Sequence, residues 1–187
     1  MPVMEDPRAQ LSPHLIEGEK LLWVGRPYPA RHFSAADVLL IPFSAMFGGF
    51  AVFWIVSAVL EDAPLLFVLW GLPFLMVGLY MILGRFIYKA NRKRRTVYGL
   101  TERRALAAVD RGSLAETPLH GTPISQQPSR RGQHLTVTFG ATNGGLPGAL
   151  GNANTGMEFF TGGSAPLGFY DVRDVAGLQN ALRGMTR

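Results

Sequence analysis

The sequence predicts an α+β membrane protein, a two-helix transmembrane hairpin joined to a small antiparallel β-domain that ends in a helix. Three observations lead there. Two long charge-free apolar runs lie close together, a dense block of positive charge follows the second, and short alternating segments fill most of the rest. Of the 187 residues, 48% are apolar and only 17% charged, and the apolar surplus sits in the two runs. That distribution excludes a purely soluble protein.

The chain opens with a polar stretch containing Asp6-Pro7 and Ser12-Pro13, and residues 1–17 read as a flexible tail. It lacks a basic region followed by an apolar core, so no cleaved signal peptide is expected. Residues 18–37 are a lead-in segment, in which Lys20–Gly25 has the character of a short strand. The hairpin occupies residues 38–88. Val38–Leu60 holds 23 residues and Leu65–Gly84 holds 20, none of them charged. At about 1.5 Å per residue, each covers the roughly 30 Å of a bilayer's hydrocarbon core. Only Glu61-Asp62-Ala63-Pro64 separates them, so the helices are antiparallel and both chain ends lie on one side.

Charge sets the expected orientation. Residues 85–104 carry net +7, whereas the inter-helix loop carries −2. Cations flanking spans stay cytoplasmic, which places both termini inside a multi-pass protein of the cell (inner) membrane. Trp54 and Trp70 fall toward the loop ends of their spans, as an outer aromatic belt requires. Ser44/Gly48 and Ala45/Gly49 are small pairs four apart; they let the two helices approach closely or, alternatively, support a homodimer. No ionisable residue lies inside either run, which leaves no ion path to propose.

Residues 89–187 read as a cytoplasmic domain. Thr96–Leu100, Ala105–Val109, Leu114–Leu119, Thr122–Gln127, His134–Phe139 and Met157–Thr161 are the expected strands. Asp110-Arg111-Gly112-Ser113 and Ser129–Gly132 are the expected turns. From Phe169 the period changes: Val172, Val175, Ala176, Leu178 and Leu182 share a helical face, with Asp171 as the expected N-cap and Gly184 as the stop.

Two segments carry a family likeness. Gly18-Glu19-Lys20-Leu21-Leu22-Trp23-Val24-Gly25-Arg26-Pro27 precedes the hairpin, and Tyr98-Gly99-Leu100-Thr101-Glu102-Arg103-Arg104 follows it. With the paired spans between them, they resemble the bacterial membrane-anchored PH-like (pleckstrin-homology-like) domain proteins, from Gly18 to about Leu182. The resemblance implies a curved antiparallel PH-like sheet capped by the C-terminal helix. It implies no general enzymatic activity, and a scaffolding or assembly role through an unidentified membrane or cytoplasmic protein. Residues 140–156 depart from the compact pattern as a long glycine-rich connection.

Candidate chemistry is sparse. Absent cysteines exclude thiolate chemistry, and the four histidines are scattered without ligand spacing, so no metal or cofactor is expected. The 140–156 stretch has six glycines but neither Lys nor Arg, and matches no phosphate-binding fingerprint. The basicity is one block beside the spans, not a groove-sized face, which argues against nucleic acid. That block supplies the expected lipid contacts, Lys89, Arg92, Lys93, Arg94 and Arg95 against anionic headgroups, while Arg103 and Arg104 form a candidate headgroup turn. The expected function is non-enzymatic scaffolding or assembly at the inner leaflet. The alternatives are a membrane-bound enzyme with an unrecognised site, or a lipid sensor.

Overall fold

The structure is a computed structural model, and it describes residues 6–29, 37–109, 113–129, 132–141 and 166–185. The expected strand Met157–Thr161, the turn residues Asp110-Arg111-Gly112 and most of the glycine-rich connection lie outside the described residues. The architecture is mixed α+β, with two small antiparallel sheets and two helices long and apolar enough to cross a membrane.

Helix α1 (Pro7–Leu11) comes first, followed by a single 3₁₀ turn, Ser12–His14. Here the expected flexible tail is corrected for Pro7–His14, residues 1–5 of it lying outside the described residues. Asp6 accepts a hydrogen bond from the Arg8 N–H at 3.0 Å, and Pro7 sits at the first helical position, where its missing N–H costs nothing. Asp-Pro is thus a helix start here. Leu11 is fully buried on the outer face of the first sheet, against Val97, Leu106 and Ala108. A Cβ on Gly99 would lie 2.7 Å from Leu11 Cδ1, so glycine at that strand position makes room for the helix.

Strand β1 (Leu21–Gly25) precedes the hairpin. After the hairpin come β2 (Thr96–Thr101), β3 (Arg104–Val109), β4 (Ser113–Pro118), β5 (Ile124–Pro128), β6 (Leu135–Phe139) and β7 (Leu167–Val172). The sheets run in the order β1-β2-β3-β4 and β5-β6-β7. β1 pairs antiparallel with β2, with Gly25 opposite Tyr98. The chain then bridges to the second sheet at Pro27–Val172, and the Tyr28 N–H donates to the Asp171 carbonyl at 3.0 Å. The lead-in segment is therefore part of the β-unit, and the whole hairpin is an insertion between two neighbouring strands.

The inward faces meet in one core. Trp23, Tyr98, Leu100 and Ala105 from the first sheet pack on Leu135, Val137, Phe139, Phe169 and Val172 from the second. The Phe169 ring stacks on Tyr98 at 4.8 Å and meets the edge of Phe139 at 4.9 Å. Helix α5 (Val175–Met185) closes this core with Leu178 and Leu182. The expected helix start is corrected as well: Phe169–Val172 pairs as strand β7, and Asp174, not Asp171, caps α5. Asp174 Oδ1 accepts from the Gly177 N–H at 3.0 Å, and Oδ2 accepts from Trp23 Nε1 at 2.9 Å.

The hairpin consists of α2 (Asp37–Leu60) and a long helix that divides into α3 (Leu65–Leu79), a π-turn (Tyr80–Gly84) and α4 (Arg85–Arg95). Asp62 takes the left-handed conformation, φ 49°, at the end of α2. There the Ala63 N–H reaches back to the Ala58 carbonyl at 2.9 Å, closing the helix without a glycine. Gly48 and Gly78 let the helices touch: a Cβ on Gly78 would stand 2.8 Å from the Gly48 Cα. Ser44 and Gly48 are thus used within the hairpin, while Ala45 and Gly49 face outward. Away from that seam the side chains are bare. Val38, Leu60, Leu65 and Ile87 are exposed by 81%, 78%, 71% and 71%. Core helices of a soluble protein would bury such residues.

Candidate functional site: the cationic foot of the hairpin

The positive block expected to lie along a membrane surface folds as α4. Its cations divide by helical position. Arg85, Lys89 and Lys93 recur every four residues, share one face and are all buried. Arg94 and Arg95 are exposed, and Arg92 is half-buried.

The buried stripe meets two carboxylates. Arg85 Nη1 lies 2.8 Å from Asp37 Oδ1, and Lys89 Nζ lies 3.4 Å from Asp37 Oδ2. Asp37 opens α2, so these contacts join the two ends of the hairpin. Among the described residues, this 2.8 Å ion pair with Asp37 is the contact that holds the buried Arg85 guanidinium. One turn further on, Lys93 Nζ lies 2.5 Å from Asp171 Oδ2. Asp171 belongs to β7 and has a positive φ of 53°, an uncommon strand conformation that Asp tolerates better than most residues. Lys93 thereby ties α4 to the second sheet. The headgroup assignment is corrected for these two lysines: Lys89 and Lys93 turn inward, because an unpaired buried carboxylate at either Asp37 or Asp171 would be costly.

A cleft of about 320 Å³ opens between α4 and the end of the β-unit. Tyr88, Lys89, Arg92 and Lys93 line it from α4. Tyr98, Ala107, Ala115 and Glu116 line it from the first sheet, and Gly168 and Tyr170 from β7. Small residues at Ala107, Ala115 and Gly168 leave the hollow where larger side chains would fill a core. The buried Tyr98 hydroxyl accepts from the Tyr170 N–H at 3.2 Å, and burial pushes the phenol above its usual range. A second hollow, about 570 Å³ and almost wholly apolar, lies along the hairpin between Ile41, Ala45, Ile82 and Phe86.

The candidate headgroup turn is resolved into two unlike residues. Thr101 Oγ1 accepts from the Arg103 and Arg104 N–H groups and donates to Glu19 Oε1 at 2.8 Å. Arg103 is left exposed at the tip. Arg104 is clamped: its Nε and Nη2 bind the two Glu19 oxygens at 3.0 and 2.8 Å, Nη2 also reaches the His14 carbonyl, and Nη1 pairs with Glu116. The forked pair holds the Glu19 carboxyl down at about 2 and raises Arg104. Arg104 is therefore a staple, and the expectation that it offers a headgroup contact is corrected. The two motifs meet in space: Glu19, just before β1, binds Thr101 and Arg104, and Trp23 on β1 pairs with Leu100 on β2. Sequence reading gave no ion-pairing role to Asp37, Asp171 or Glu19 and no capping role to Asp174; the four-residue period of Arg85, Lys89 and Lys93 was the signal available for the first two.

The chain matches no protein-family model, and neither a curated protein nor a solved structure matches it. Among the described residues no group of three His, Cys, Asp or Glu side chains is placed to hold a metal ion.

Proposed function

We propose that this chain is a membrane-anchored, non-enzymatic adaptor whose PH-like β-unit serves scaffolding or assembly at the inner leaflet, through protein and headgroup contacts. The observation that carries the reading is the pairing of β1 with β2. The first strand lies before the hairpin and the second after it, so both flanks of the insertion sit on the same side of whatever the hairpin enters. The bare apolar faces of α2 and α3 favour a bilayer there. The long helix has 31 residues, about 46 Å, so it outlasts the hydrocarbon core and carries α4 into the headgroup region. The +7 segment beside it and the acidic loop opposite favour cytoplasmic termini. Four strands, then three, then a closing helix support the PH-like reading.

This arrangement grips the β-unit at two points, through the β1–β2 strands and the Lys93–Asp171 pair, and leaves its far surfaces available to a partner. The orientation is tested with a reporter active only outside the cytoplasm. Fused at Asp62 it should give signal, and fused after Arg187 it should be silent; the reverse overturns the orientation. For the adaptor role, a photo-cross-linker at the exposed Arg103 should form a discrete protein adduct in native membranes. Adducts with lipid alone would replace the adaptor by a lipid sensor.

A further inference from the structure

A strand can pair on two sides, and β4 pairs on one. The first sheet runs β1-β2-β3-β4, so β4 (Ser113–Pro118) is its edge. The phase of the β3–β4 ladder says which backbone groups that edge presents. The Leu119 N–H donates to the Arg103 carbonyl at 2.9 Å. Bonded and unbonded pairs alternate along an antiparallel ladder. Ala105–Thr117 and Ala107–Ala115 therefore share the bonded phase, and Leu106–Glu116 and Ala108–Leu114 the unbonded one. Leu114 and Glu116 thus direct their N–H and C=O groups away from β3, where no described strand pairs with them. Pro118 falls in the same phase, the place in a sheet where a missing N–H removes no ladder bond.

The 320 Å³ cleft lies along that edge. Successive side chains of a strand point to opposite faces, so a hollow under one face would touch alternate residues. This one touches every residue from Ser113 to Thr117. Across from them stand α4, with Tyr88 and Arg92, and the start of β7, with Pro166 and Gly168. That wall leaves no room for a second folded sheet, such as a second copy would bring to the edge, but it leaves room for one extended chain. A residue of that chain opposite Ala115 projects the same way as Ala115, onto the small side chains of Ala107 and Ala115, where a bulky apolar group fits.

We infer that β4 takes an extended segment of a partner protein as a fifth strand of the first sheet. The backbone of Leu114 and Glu116 holds it, and a bulky apolar side chain of the segment sits beside Ala107 and Ala115. The Glu116 carboxylate is engaged by Arg104, so Glu116 acts through its main chain. This rests on the adaptor reading above and names where the partner docks.

The probe is a labelled hexapeptide in which Thr alternates with Val, Phe and Val, titrated onto the full chain in micelles and read by fluorescence anisotropy. Saturable binding is expected. With the apolar residues seated toward Ala115, the Thr amides are the ones that meet β4. Methylating the Thr nitrogens should therefore abolish binding, whereas methylating the apolar nitrogens, which face away, should leave it within about twofold. Leu114→Pro removes an outward N–H that the fold does not use. It should weaken binding at least about fivefold, the effect of one backbone hydrogen bond. Leu114→Ala keeps that N–H and should bind like wild type. The inference falls if binding is not saturable, if both methylated peptides bind alike, or if Leu114→Pro matches Leu114→Ala. It falls too if, without peptide, Leu114→Pro melts well below Leu114→Ala, because the edge is then already paired within this protein. A protein adduct at Arg103 alongside any of these failures would keep the adaptor and place its partner away from β4.

Discussion

Two charge clusters in this molecule use the same residue types to different ends. At the β2–β3 turn, Arg104 faces Glu19 and Glu116, and its fork matches the Glu19 carboxylate oxygen for oxygen. At the hairpin foot, Arg85 and Lys89 both approach Asp37, at 2.8 and 3.4 Å. The first cluster has a surplus of negative charge, touches solvent through Glu116 and is geometrically complete. The second is more deeply buried, and there two cations, Arg85 and Lys89, approach one carboxylate. A forked pair matched atom for atom satisfies both partners, whereas a carboxylate shared between two buried cations satisfies each of them less fully.

The comparison can be broken most forcefully at Arg104. Arg104→Met leaves Glu19 nearly buried without its partner and unties β3 from the segment before β1. The expected loss is about 3–5 kcal/mol, the usual result of removing one member of a buried pair, read from thermal or urea unfolding in micelles. A loss below about 1 kcal/mol would make Arg104 an ordinary surface arginine and reopen it as a headgroup contact.

Acid should act on the same cluster. The Glu19 carboxyl is held at about 2 against an ordinary 4.5, chiefly by the hydrogen bonds from Arg104. A carboxyl lowered in the native state contributes stability that is complete above about 4.5 and is lost as the pH falls toward about 2. The unfolding midpoint should therefore decline across that window, and Glu19→Gln should flatten the decline. An unchanged slope in the variant would move the acid sensitivity to another carboxylate.

The smallest effect is expected one residue away. Arg103 shares the turn and the charge of Arg104 but is exposed at its tip, so Arg103→Gln should change stability by less than about 0.5 kcal/mol. A larger loss would mean that the turn, and not the clamp alone, carries the stabilisation.

Much of the architecture was legible from local signals. The first apolar run marks α2 within one residue, and the second marks the start of the long helix, which continues past Gly84 to Arg95. Length and transfer energy act on each apolar segment by itself, while the polar continuation is set elsewhere. Five of the six expected strands after the hairpin fall on described residues, and all five form with ends shifted by a few residues, since alternation is also a local property. Lys20–Gly25 was legible as a strand, although nothing local said that its partner lay beyond the hairpin.

The errors have a common form. Asp171 carries a good helix-capping side chain, but Phe169–Val172 gains more by adding a third strand to the second sheet, and Asp174 takes the cap. Residues 7–14 look polar and loose until Leu11 finds the outer face of β2 and β3. The positive block reads as five equivalent cations until helical geometry turns Lys89 and Lys93 inward. The sequence by itself determined the membrane-sized helices, the strand content and the segregation of charge along the chain, because each rests on a few neighbouring residues. Only the tertiary structure decided which cations are buried staples and which face outward. Lys89 meets a carboxylate 52 positions away, Lys93 one 78 away and Arg104 one 85 away, and pairing at such separations is set by how the sheets and helices pack.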